Sequence, residues 1–590
     1  MVAFLNWSKS LALGTLNAIA KAFVLVALVL AVLILIGMFR GDGLPDKMVL
    51  TADLRTPMSD SNRPSAFDLG HSLTVMDLVL TLDRASHDDR VKGLYVRVGD
   101  GGIPVPQAQE IGAALKRFRN SGRFVIAHSQ GFDSGGLGDY LAAAHASELW
   151  MQPKSPFGAS GAGAGTIFLR GLFDKIQAQP QMVKRAEYKS AADLFMEKDY
   201  TGPDREQTTA FLQSWYDTAA SGAAAARHLP LKAVTASFEE SPQFAEDALH
   251  NRLIDRIGYD DDAKDAAVAR AGSGAKAVSV RKYERNAVPS GTGRPKIAVI
   301  EAAGEIHEGG GRESQLDSSS SIASDDYAGA IREAAKDSSI RAIVLRVDSP
   351  GGSVSASDQI LNALQKARRA GKPVVVSMGT LAASGGYYIS CFADRIVAEP
   401  GTLTGSIGVL TGKVSFGKTA GLIGVGVDQI GVGKNALMDS AISPYTPDQW
   451  ANLNHQADVI YADFLNKVAT GRKLPLTQVQ QIARGRVWTG ADAKRRGLVD
   501  ELGGFWTAVA DAKKLSGIAP QEETAFRIYP RRATFFAALA SAFTGTAAGI
   551  HAMQGLAAFE QLPLARAVLG AVADARQSGV QMKAEGLPIN

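Results

Sequence analysis

Between about residues 45 and 530, apolar positions alternate between two spacings. VKGLYVRV at Val91–Val98 and IRAIVLRV at Ile340–Val347 are short, nearly continuous apolar runs with the length and β-branched content of buried strands. Between such runs the apolar positions return every three or four residues, which predicts helices over Gln107–Arg119 and Ala356–Arg369. Further apolar runs follow, GRFVIAHS at Gly122–Ser129 and GKPVVVSM at Gly371–Met378. Buried strands alternating with helices predict α/β units with largely parallel pairing.

The pattern occurs twice. Val91–Val98 aligns with Ile340–Val347, Gly122–Ser129 with Gly371–Met378, and Tyr140–Pro153 with Tyr387–Pro400. The offset stays near 247–249 over more than sixty residues, which chance does not produce. The body is therefore read as a tandem repeat, 45–290 and 291–530, joined near AVPSGTGRP at Ala287–Pro295. DSSSSIASDD at Asp317–Asp326 is expected to be a solvated loop.

Residues 1–44 and 531–590 break the pattern. Ala22–Met38 is an apolar run uninterrupted by charge, with Lys21 before it and Arg40 after. Extended through Leu16–Ala20, with Lys21 snorkelling, it reaches about 20 residues, enough to span a membrane. It is too long for the apolar stretch of a cleaved signal peptide, and no clear Ala-x-Ala site follows. Basic residues flank both ends, so charge alone does not orient it. The tail at 531–590 is apolar around Ala533–Gln561, but too dilutely for a span, and is read as an amphipathic or packing helix.

Composition narrows the possibilities. With 590 residues the chain is too long for one domain. It carries 63 basic and 59 acidic residues, a formal charge of +4, which gives no case for a nucleic-acid partner. The one cysteine, Cys391, excludes an internal disulfide and is read as a small core residue. There is no Cys/His cluster for zinc and no phosphate-binding loop, so no cofactor is expected.

One segment carries chemistry. In LAASGGYY at Leu381–Tyr388, Ser384 stands between small residues and just before Gly385-Gly386. A second glycine pair, Gly351-Gly352, lies in DSPGGSV about thirty residues upstream. A serine nucleophile needs exposed backbone N–H groups beside it to hold an oxyanion, and glycines let the backbone come that close. No histidine is near Ser384 in sequence, and the chain has nine in all. This leans away from a Ser-His-Asp triad and toward a lysine base. The first repeat has Leu137 opposite Ser384 and Ala159 opposite Ser406, so it cannot use the same nucleophile.

EYKSAADLF (Glu187–Phe195), DSPGGSV, AASGGYY and GTLTGSIGV, four motifs in the right order, resemble the signal peptide peptidase A family in its long, tandem form. The resemblance covers about residues 45–530. It implies a Clp/crotonase-like ββα spiral in each repeat and an N-terminal transmembrane helix. It implies a membrane-anchored serine endopeptidase whose Ser384 is the nucleophile. Lys189, in the family's lysine segment, would be the general base, so the first repeat would donate the base and the second the serine. Ser406 resembles the family's second serine, which orients the lysine. Lys434, in GKNALM opposite Lys189 in the repeat alignment, resembles the lysine of short, single-repeat members and is the rival base. Ala191, Ala192, Leu194 and Phe195 could supply the desolvation a neutral lysine needs, its reference pKa being about 10.4. Gly352 (or Gly351) and Gly385 would form the oxyanion hole. The implied substrates are remnant signal peptides and other short apolar peptides. The implied setting is a bacterial inner membrane with the body on the periplasmic side, in a homotetramer.

Two other classes share some of these features. A crotonase-type acyl-CoA enzyme has glycine-rich oxyanion turns but needs neither Ser384 nor a lysine. A non-catalytic membrane scaffold would fit a repeat that has lost its serine. A serine-reactive probe separates both from a protease.

Overall fold

Strand β1 (Met48–Asp53), β2 (Val91–Val98), β3 (Phe124–Ser129) and β4 (Glu148–Met151) form the centre of the first sheet, every neighbouring pair parallel. Helix α1 (Val105–Asn120) connects β2 to β3 and carries Pro106 in its first turn, where the missing N–H costs nothing. The computed structural model describes residues 42–61, 73–132, 136–287, 294–310 and 321–530, with the backbone of 581–583. The apolar run at Ala22–Met38 lies outside the described residues. Among them, no helix is long and apolar enough to cross a membrane.

After its sheet the first repeat sends out β5 (Gln179–Arg185) and then the long helix α2 (Gly202–Arg227). The second repeat follows the same plan. Its central strands are β6 (Lys296–Ala303), β8 (Ile340–Ser349) and β10 (Val374–Ala383), again parallel. Between them lie two short strands, β7 (Glu305–His307) and β9 (Gly351–Ser353), and helix α3 (Val354–Arg369). Beyond β10 come the short helix α4 (Gly385–Ser390), β11 (Leu403–Gly405), β12 (Val409–Ser415) and the helix α5 (Pro447–Arg472). A last strand, β13 (Gln581–Lys583), pairs antiparallel with β9.

The duplication extends to individual bonds. The Tyr140 hydroxyl donates to the Leu253 carbonyl at 3.0 Å, and that of Tyr387 to the Leu498 carbonyl at 2.9 Å. Helices α2 and α5 each begin with a threonine cap, Thr201 and Thr446, and end on a left-handed residue, His228 and Lys473. The expected solvated loop at Asp317–Asp326 is corrected for its described part. Ser321–Ala323 is a strand paired with β7, and a helix starts at Ser324, whose side chain is buried. Polar residues misled there because Asp325 and Asp326 form the acidic first turn of a helix.

The repeats join in two ways. Strand β5 pairs antiparallel with β12 along its whole length, from Arg185↔Val409 to Gln179↔Ser415. Beneath the sheets, Arg346 of β8 is fully buried between carboxylates of the first repeat. Its guanidinium meets Asp60 at 2.6 and 2.9 Å and Glu110 at 2.8 Å. Removing one partner would leave an uncompensated buried charge, at a cost of about 3–5 kcal/mol. Cys391 is buried in the core of the second repeat, as read from the sequence, and burial pushes its thiol up to about 12.

Candidate active site

Strand β10 runs out at Ala383, and the chain turns sharply into α4. Ser384 sits on that turn at φ 56°, ψ −116°, a conformation costly for a residue with a side chain. The turn is held by its own backbone: Ser384 N–H donates to the Gly405 carbonyl, and Tyr388 N–H to the Ser384 carbonyl, both at 2.8 Å. Gly405 ends β11, so the residue after it, Ser406, is carried to the same place. Its φ is 48°, and its N–H donates to Arg486 at 2.7 Å.

Lys189 arrives from the other repeat. The β5–β12 pairing ends at Arg185, four residues before it. The Tyr188 N–H then donates to the Arg484 carbonyl at 3.2 Å. Gln207, on the first turns of α2, clamps both sides: its amide donates to the Tyr188 carbonyl at 3.1 Å and accepts from Val487 N–H at 3.2 Å. Lys189 Nζ ends 2.8 Å from Ser384 Oγ, 2.9 Å from Ser406 Oγ and 3.1 Å from the Ser406 carbonyl. Lys189 and Ser406 are 1% and 2% exposed, and Ser384 is wholly buried.

Two glycines missed in the sequence reading make that approach possible. A Cβ on Gly485, which has φ +74°, would stand 2.8 Å from Lys189 Cβ. A Cβ on Gly408 would stand 2.4 Å from the Arg185 carbonyl oxygen and 3.3 Å from Lys189 Cδ. Gly408 lies inside the quoted string GTLTGSIGV, which was the available signal; Gly485 carried none.

The glycine pair that opens β9 closes the other side of Ser384. A Cβ on Gly385 would meet Gly351 Cα at 3.0 Å and Gly352 N at 3.1 Å. Gly351 N–H donates to Ser349 Oγ at 3.1 Å, which favours Gly352 over Gly351 as an oxyanion donor. Asp348, at the head of this turn, accepts from Leu381 N–H at 2.9 Å and so ties the turn to β10. Burial, and then the charge of Asp60, push Asp348 up to about 7.

Lys434 is elsewhere. It lies on an exposed stretch before α5, paired with Asp448 at 2.8 Å, and that hydrogen bond holds its amine above the ordinary value. The correspondence of Lys434 with Lys189 in the repeat alignment does not translate into proximity to Ser384, because β5 crosses to the partner repeat. Of the apolar neighbours named for Lys189, Ala191 and Ala192 are buried, whereas Phe195 joins a separate cluster with Phe173 and Val414.

The peptidase family S49 model matches residues 117–273 and 366–519, one segment in each repeat. The chain belongs to peptidase family S49. Protease 4 of Salmonella typhi is 33% identical over 470 residues, covering 75% of this chain and 72% of that protein. The chloroplastic serine protease SPPA of Arabidopsis thaliana is 32% identical over 480 residues, covering 80% and 69%. Protease 4 of Haemophilus influenzae is 30% identical over 467 residues, covering 75% and 73%. As an S49 member the protein is a serine protease of mixed α/β structure.

Proposed function

We propose that this S49 peptidase is a Ser384/Lys189 endopeptidase whose active site is shared between its two repeats. The observation that carries the reading is the 2.8 Å separation of Lys189 Nζ from Ser384 Oγ. Burial disfavours the ammonium form of lysine, and a neutral amine can accept a proton. The amine takes the Ser384 proton as Oγ attacks the peptide carbonyl. Gly352 and Gly385 N–H groups receive the oxyanion, each worth about 3 kcal/mol. The lysine ammonium then gives its proton to the departing amine, leaving an acyl-enzyme. Lys189 next activates a water that hydrolyses the ester, and Ser384 recovers its proton. Ser406 fixes the amine through its hydroxyl and carbonyl.

The finer reading is a Clp/crotonase-like spiral in each repeat, with boundaries near 44, 290 and 530. Ala22–Met38 would anchor it to a bacterial inner membrane with the body on the periplasmic side. Short apolar peptides, including remnant signal peptides, would be its substrates, and a homotetramer its assembly. An anchored enzyme stands beside peptides released from the membrane, which supports this choice. Family membership favours peptide hydrolysis over the acyl-CoA and scaffold alternatives.

The experiment is hydrolysis of a short apolar peptide by the wild type and by Ser384→Ala. The variant is expected to fold and to lose hydrolysis and labelling by a serine-reactive probe; retained hydrolysis overturns the mechanism.

A further inference from the structure

The sheet that flanks the catalytic pair has a place for one more strand. On one side is β9, which carries Gly351 and Gly352. On the other is β12, which starts three residues after Ser406 and is held on its far edge by β5. Strand β13 lies in that gap. It pairs antiparallel with β9, Gln581 opposite Ser353, Met582 opposite Gly352 and Lys583 opposite Gly351, and bridges to Leu410 of β12 at Gln581. The six strands of this sheet then run in the order Ser321–Ala323, β7, β9, β13, β12 and β5. The backbone of β13 also lies against α4, the helix that begins after Ser384. Ser384 itself has no exposed surface.

On the peptidase reading, a substrate carbonyl must reach Ser384 beside the N–H of Gly352, which requires an extended peptide along β9. Backbone pairing of that kind accepts many sequences. We propose that residues 581–583 are a tethered inhibitor: they hold the substrate's strand position, and a peptide binds only when they leave. The two occupants use the same backbone groups of β9 and exclude each other. The fifty residues between 530 and 581 can reach any point on the body, at about 3.3 Å per extended residue. A tether of this length is taken to supply an effective concentration of about 1 mM. A segment with Kd about 0.1 mM would therefore raise KM roughly tenfold.

The test compares three proteins on one short apolar peptide: the full chain, the chain stopped after residue 575, and the full chain carrying Met582→Pro. Proline cannot donate an N–H to β9, so this variant keeps the tail but weakens the strand. Both variants are expected to lower KM about tenfold with kcat unchanged. A synthetic peptide of residues 577–587 is expected to inhibit the shortened chain competitively. Equal KM in all three proteins, with no inhibition by the peptide, overturns the proposal. So does loss of residues 581–590 from the wild type but not from Ser384→Ala by mass spectrometry, because the segment is then a substrate that is cut and not a resident inhibitor. If no protein hydrolyses the peptide, the peptidase reading fails separately. The docking claim is still decided by fluorescence anisotropy of labelled 577–587 on the shortened Ser384→Ala chain, where binding supports it and no binding overturns it.

Discussion

Lys189 of the first repeat and Ser384 of the second lie 2.8 Å apart, nitrogen to oxygen, although 195 residues separate them in the chain. The first repeat has no serine of its own at the equivalent position, yet its strand β5 and helix α2 are what deliver the amine. On the proposed mechanism, the copy without a nucleophile supplies the base for the serine of the other.

Ser406 holds the lysine by a hydroxyl at 2.9 Å and a carbonyl at 3.1 Å. Ser406→Ala removes only the first. The expected result is a loss of about 10- to 100-fold in kcat, the scale of a misplaced catalytic group, with KM nearly unchanged. Steady-state kinetics check it, and an unchanged kcat would assign the hydroxyl to turn capping.

Gly485 gives the lysine segment its room. Gly485→Ala would force a Cβ to 2.7 Å from Lys189 N on a backbone at φ +74°. Activity is expected to fall about 100-fold while thermal unfolding stays cooperative. Full activity in this variant would mean that Lys189 need not sit where it does.

The acidic cluster at the repeat junction makes stability depend on pH. Burial, and then the Glu110 charge, push Glu399 up to about 8; Asp348 is raised to about 7. Arg346 opposes both shifts. Raised carboxyls mean that the folded chain keeps protons the unfolded chain has already released. Their contribution is therefore most favourable below the ordinary carboxylate range and is lost as pH climbs from about 4 to about 8. Glu399→Gln removes that loss. Its Tm relative to the wild type is expected to rise by at least about 2 °C between pH 5 and pH 9. Parallel Tm profiles would show that Glu399 does not titrate in this window.

Much of this was legible in the residues. The runs at Val91–Val98 and Ile340–Val347 are strands because their apolar content leaves them no solvent face, and the expected helices at 107–119 and 356–369 need only one or two more residues at their ends. Ser384 was visible because small residues and glycines surround it. The choice between Lys189 and Lys434 was not settled by alignment, since equal positions in two repeats do not show which strand crosses to the other. Gly485 was hidden because its constraint comes from a segment almost 300 residues away, and Asp60–Arg346 because burial of a charge leaves no periodic trace. At Ser321–Asp326 polar composition pointed to a loop where a strand and a helix start occur.

The most direct test of the shared site is a paired measurement of kcat/KM for Lys189→Ala and Lys434→Ala on one peptide across pH 6–10. A Ser384/Lys189 site predicts that Lys189→Ala loses about 1000-fold or more at every pH, and that Lys189→Arg, which stays charged, does no better. Lys434→Ala, altering an exposed pair with Asp448, should remain within about twofold of the wild type. An inactive Lys434→Ala beside an active Lys189→Ala would place the base in the same repeat as Ser384 and contradict the account.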